Sequence, residues 1–168
     1  PIIEFMLETE QLKARSHLTF SEAGKKKWDK NDGYWLTPLS NTYLELYTIL
    51  NNDSRLSLNN LPRKFGVPIE IPIYIGGFKN GTGISGSATL SWSTNSQIPE
   101  GWTLTLTDKK TGNTVDMRDN PFLQINLSSS KEKKAPNYTY SGIPVTKGKT
   151  KNKEENARFV LQISPGSD

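Results

Sequence analysis

Trp102-Thr-Leu-Thr-Leu-Thr-Asp108, continued by Lys-Lys-Thr-Gly112, decides the fold class. Trp102, Leu104 and Leu106 fall on one side of an extended chain, and Thr103, Thr105 and Thr107 on the other. Such alternation describes a strand with one dry face and one wet face. Asp108 to Gly112 then reads as a hairpin turn.

The same period recurs on both sides. Ile3, Phe5 and Leu7 share a face, as do Leu18 and Phe20, then Ala88, Leu90 and Trp92, then Leu123, Ile125 and Leu127, and finally Phe159, Leu161 and Ile163. Tyr43 to Ile49 is extended by its Tyr, Thr and Ile content, and Arg55 to Asn59 returns after a turn at residues 51–53. Val67-Pro-Ile-Glu-Ile-Pro-Ile-Tyr-Ile75 has one wholly β-branched face. Pro68 and Pro72 cannot donate to a ladder, so this strand is expected at an edge or bonded on one side only. Thr114 to Met117 and Tyr138 to Tyr140 add short strands, and 131–137 and 146–156 read as loops.

The expected architecture is all-β: an antiparallel two-sheet β-sandwich, jelly-roll or immunoglobulin-like, with about nine or ten strands and no helix. One domain over 1–168 is expected, with a possible subdivision near the glycines of 76–86. The chain enters strand-like sequence directly at Pro1 and reads as a piece of a longer polypeptide.

Composition narrows the chemistry. With no cysteine, disulfides, thiolate metal sites and cysteine nucleophiles are excluded. The apolar fraction of 33% suffices for a sandwich core, and no apolar run is long enough to span a bilayer. The formal net charge of +4 gathers in Lys25 to Lys27 and between Lys131 and Lys153. These runs lack interleaved aromatics, so they read as solubilising loops rather than a nucleic-acid groove.

Taken in order, several segments bear a family likeness: Phe20, Trp28-Asp-Lys-Asn-Asp-Gly33, Pro38-Leu-Ser40, Tyr43 to Tyr47, Arg55-Leu-Ser-Leu-Asn-Asn-Leu-Pro62, Val67-Pro68, Leu106-Thr-Asp-Lys-Lys-Thr-Gly112 and Ala157-Arg-Phe-Val-Leu161. In these the chain resembles the β-sandwich modules near the C-termini of large secreted or surface proteins of Bacteroidetes and related bacteria. Such modules stand before type IX secretion sorting domains. The resemblance implies export, a secreted or cell-surface location and a noncatalytic structural or adhesion role beside adjoining domains. It supplies no catalytic residues. The chain departs from it in the basic run from Lys131 to Lys153 and in lacking the sorting domain.

Candidate chemistry concentrates in the loop after Phe20. Trp28, Tyr34 and Trp35 are the candidate ligand-binding aromatics, because exposed rings stack on the apolar faces of sugars. Core or interdomain packing is the commoner use of such rings. Asp29, Asn31 and Asp32 offer oxygens for a structural calcium ion. As an EF-hand they fail, since Gly33 is the fifth residue and Ser40 stands where a glutamate is needed, and an Asx-turn accounts for them. No other cofactor is expected.

Enzymatic readings are weaker. His17 is the sole histidine and alternates opposite Leu18 and Phe20, with Ser16 beside it. Ser85, in Gly83-Ile-Ser-Gly-Ser87, lacks the glycine spacing of a nucleophile elbow. Glu8 and Glu10 share a strand face at about the 5 to 9 Å that glycoside hydrolysis uses, but flank polar strand-end residues. A noncatalytic module is therefore expected, with carbohydrate binding as the alternative and a hydrolase as the third reading.

Overall fold

The computed structural model describes residues 1–50, 54–95, 97–128 and 157–166. Among them there are twelve strands and no helix: β1 (Ile2–Glu8), β2 (Lys13–Ser21), β3 (Gly33–Tyr34), β4 (Tyr43–Ile49), β5 (Arg55–Pro62), β6 (Ile69–Lys79), β7 (Thr82–Gly83), β8 (Gly86–Thr94), β9 (Thr103–Asp108), β10 (Thr114–Asp116), β11 (Phe122–Leu127) and β12 (Phe159–Ser164). No helix of the described residues is long and apolar enough to cross a membrane. The expected features at 51–53, 131–137, 138–140 and 146–156 lie outside the described residues.

The strands form one continuous mixed sheet in the order β10-β9-β12-β6-β4-β5-β2-β1-β8-β11, with β3 added to β5 and β7 to β6. Every pair is antiparallel except β2 with β5, which run parallel with Leu18 opposite Asn59 and Phe20 opposite Leu61. The wholly antiparallel expectation is corrected there. Alternation along a strand fixes which side is dry but not which way its neighbour runs. Residues 22–54 are long enough to carry the chain across and return it in the same direction.

The sheet is strongly curled. β10 and β11 are consecutive in sequence yet occupy opposite ends of the strand order. The step from Asp116 to Phe122 cannot span more than about 21 Å even if fully extended. The two ends must therefore lie close together. At the opposite bend, β4 and β5 share only two pairs, Thr48 with Leu56 and Ile49 with Arg55.

The concave side is filled by one apolar cluster that includes Phe5, Leu18, Leu46, Ile73, Leu90, Leu106, Ile125 and Phe159. Phe20 meets Trp102 edge-on, with ring centroids 5.0 Å apart. The Trp92 indole N–H donates to the Met117 carbonyl at 2.9 Å, pinning the link between the two sheet ends. This core draws from both sides of 76–86, and that stretch itself is occupied by the β6–β7 hairpin and the start of β8.

β6 is interior in the strand order, but its two ladders scarcely overlap. It pairs with β12 through residues 69–73 and with β4 through residues 73–78. No β4 residue stands opposite Pro72, so the missing N–H breaks no rung on that side. The expectation of an edge strand is thus corrected: β6 has a strand on each side, and bonding is one-sided only locally, where residues 69–72 meet β12 and not β4.

Candidate functional site

The loop between β2 and β4 is held against β5 by backbone contact. Lys25 N–H donates to the Asn60 carbonyl at 3.3 Å, and Gly24 lies so close to β5 that a Cβ would run into the Leu61 carbonyl. Further along, Asp32 organises the turn. One carboxylate oxygen accepts the Asp29 N–H at 2.9 Å, and the other accepts the Asn60 N–H at 2.7 Å. Asp29 accepts the Asn31 N–H at 2.7 Å, and Asp32 N–H closes onto the Asp29 carbonyl at 3.1 Å.

These are the bonds of an Asx-type turn that is also tied to a strand. Burial raises the Asp32 pKa above its ordinary value; the Asn60 and Asp29 amides oppose this, and the Asp29 charge reinforces it. The proposed calcium oxygens are thus largely committed to backbone donors. Asp29 Oδ2 alone is buried without a hydrogen-bond partner. Among the described residues, no group of three or more histidine or carboxylate side chains is placed to hold a metal ion.

The three aromatics part company. Gly33 and Tyr34 form β3, antiparallel to β5. Adjacent residues of extended chain point to opposite sides, so Tyr34 and Trp35 diverge. Tyr34 stacks on Trp28, with centroids 5.6 Å apart and planes 15° from parallel. Trp28 is 44% exposed, and the stack stands at the surface. Trp35 is only 8% exposed and turns inward onto Tyr43 and Tyr47, at 6.3 and 5.1 Å.

Trp35 belongs to a second apolar cluster with Tyr43, Tyr47, Ile49, Phe78 and Ala157. The Arg55 guanidinium lies over both Trp35 and Tyr47, 5.9 and 5.6 Å from their centroids. Burial pushes the Tyr47 pKa well up, with the Glu45 charge adding to it. This cluster was not legible as a unit. Its one sequence signal is the pair of adjacent large side chains at Tyr43-Leu44 and again at Leu46-Tyr47, which breaks the alternation of a half-exposed strand; in the structure all seven residues of β4 are buried, Glu45 and Thr48 included.

The enzymatic candidates do not converge. His17 Nε2 lies 2.8 Å from Glu4 Oε2. Ser16 is buried, and its hydroxyl donates to the Ser57 carbonyl at 3.3 Å. Neighbouring residues on β2, they point to opposite sides of the sheet. Glu8 ends β1 and lies 3.7 Å from Lys13, whereas Glu10 falls in the turn that follows. Ser85 lies between β7 and β8.

No family model, curated protein or solved structure matches this chain.

Sequence reading also missed a buried ion pair. Arg158 Nε and Nη2 donate to the two Asp108 oxygens at 3.0 and 2.8 Å. Burial raises the Asp108 pKa, but the hydrogen bonds from Arg158 and the Lys110 amide, with the Arg158 charge, outweigh it and hold the carboxyl below its ordinary range. Residues 50 apart in sequence carry no local sign that they will meet.

Proposed function

We propose that the chain is a noncatalytic contact module of a secreted or cell-surface multidomain protein, of the kind its sequence resembles. In this reading the two arms of the curled sheet, joined at the β4–β5 bend, form the layers of a β-sandwich. That rigid body presents the loop after β2 to an adjoining domain or surface. The observation that carries the reading is the pairing of an exposed aromatic with a fixed base. Trp28 stands at the surface on Tyr34, while Asp32 ties the same turn to β5. A large ring held out by an ordered turn has little conformational freedom left to lose on contact.

The second reading, carbohydrate binding, draws on the same stack. Tyr34 backs one face of the Trp28 indole, and the surface exposure of Trp28 leaves area on which a sugar ring can lie. Trp35 has no part in it, because its ring is enclosed. One experiment separates the readings. Trp28→Ala is compared with the parent chain for retention on insoluble glycans and for association with the adjoining domain of its precursor. The contact module predicts loss of domain or surface association, about tenfold for an anchoring aromatic, with no glycan retention by either chain. Glycan retention that Trp28→Ala abolishes would favour the second reading. Unchanged behaviour in every assay would remove both.

A further inference from the structure

Among the described residues β11 has a strand on one side only, β8. Its sequence, Phe122-Leu-Gln-Ile-Asn-Leu127, has no charge and no proline. Unprotected edges of this kind are templates for a further strand, and proteins ordinarily blunt them.

Which groups face outward follows from two hydrogen bonds. Trp92 N–H donates to the Pro121 carbonyl, so Pro121 is turned toward β8. Arg158 Nη1 donates to the Asn126 carbonyl at 2.6 Å from the other side. Backbone groups alternate along a strand. Leu123, Ile125 and Leu127 are therefore laddered to β8, while Phe122, Gln124 and Asn126 direct their N–H and C=O groups to the side away from β8, where no strand lies among the described residues. Arg158 occupies the last carbonyl and marks where docking must stop.

A groove of about 250 Å³ runs beside this edge, lined by Leu123, Ile125, Asn126, Lys110, Asn113 and Arg158 among others. Its charge is one-sided. Asp108 is neutralised by Arg158. Lys110 donates to the Ser128 hydroxyl at 3.0 Å, and neither it nor the exposed Lys109 lies in an ion pair among the described residues.

We propose that the β11 edge takes up an extended acidic peptide segment as an added strand. Its backbone would pair with Phe122 and Gln124 and end on the Asn126 N–H, an apolar side chain would enter the groove, and a carboxylate would meet Lys110. A second β11 is a poorer occupant, because it brings no carboxylate to the lysines. The proposal is independent of the Trp28 loop, which lies on a different connection.

The test uses the whole chain and two labelled eight-residue probes, one alternating valine with glutamate and one alternating valine with lysine. Binding is followed by fluorescence anisotropy, and amide hydrogen exchange by NMR. The valine–glutamate probe is expected to bind and to slow exchange at the Gln124 and Asn126 amides, while the valine–lysine probe does not bind. Gln124→Pro removes an outward N–H without touching the β8 ladder and is expected to weaken binding about fivefold. Lys110→Ala is expected to weaken it about threefold, less at high salt, and carries the test if Gln124→Pro does not fold. Gln124 and Asn126 amides already protected in the free chain would overturn the proposal, since the edge would then be held by another part of this chain or by a second copy. Equal binding of both probes, or of neither, would also overturn it.

Discussion

At the scale of single residues, two aspartates, one ending β9 and one just before β3, have opposite electrostatic fates. Asp108 keeps its charge because Arg158 grips both oxygens; Asp32 is penalised by burial despite its amide donors. The consequences for stability have opposite signs. The Asp108 contribution is present above the ordinary carboxyl value of 3.8 and is lost as pH falls below it, through the depressed folded value. That of Asp32 is fully present below 3.8 and is lost as pH rises through its raised value. Replacing Arg158 with methionine leaves the Asp108 carboxylate buried and unpaired. Arg158→Met is expected to destabilise the protein by about 3 kcal/mol at pH 7, with the loss shrinking as pH falls and Asp108, its pKa raised by burial once Arg158 is gone, protonates. Urea unfolding of both chains across pH 3 to 7 checks this; a loss independent of pH would show that Arg158 acts through packing alone.

At the scale of elements, β3 is the informative piece. It is two residues long, and its pairing with β5 sends Tyr34 outward and Trp35 inward. Sequence groups the three aromatics as candidates because proximity along the chain is visible there and the local strand is not. Gly24 prepares this arrangement by letting the loop lie directly on β5. Gly24→Ala is expected to lift the loop from the strand and to destabilise the fold by about 2 kcal/mol. Trp28 fluorescence should shift as its stack on Tyr34 loosens. A variant with unchanged emission and melting temperature would contradict the close approach. The β9–β10 hairpin behaves more simply. Gly112 takes a φ of +78°, and its N–H donates to the Asp108 carbonyl at 2.7 Å, as Asp108 to Gly112 foretells.

At the scale of the whole molecule, the concave core is the larger of the two buried clusters, and both the first and the last strand contribute to it. Ile3 and Ile163 are both fully buried in it. Leu106 sits on β9 with no exposed surface. Leu106→Ala is expected to cost about 2 to 5 kcal/mol through lost burial and the cavity left behind, measured as a lower urea midpoint with an unchanged slope. A slope that fell markedly would show that the two arms unfold separately rather than as one unit.

Alternation of character along the chain determined most of what is local: the strands at Ile3, Leu18, Leu90, Leu104, Ile125 and Leu161, their inward faces, and the turn at Gly112. It did so because a strand sorts its side chains with a period of two whatever its neighbours are. Only the tertiary structure decided the parallel pairing of β2 with β5, the covering of β4 on both faces, the enclosure of Trp35, and the meeting of Asp108 with Arg158. Those depend on which strands become neighbours. That choice is made by packing and loop length over tens of residues, and no short stretch of sequence carries it.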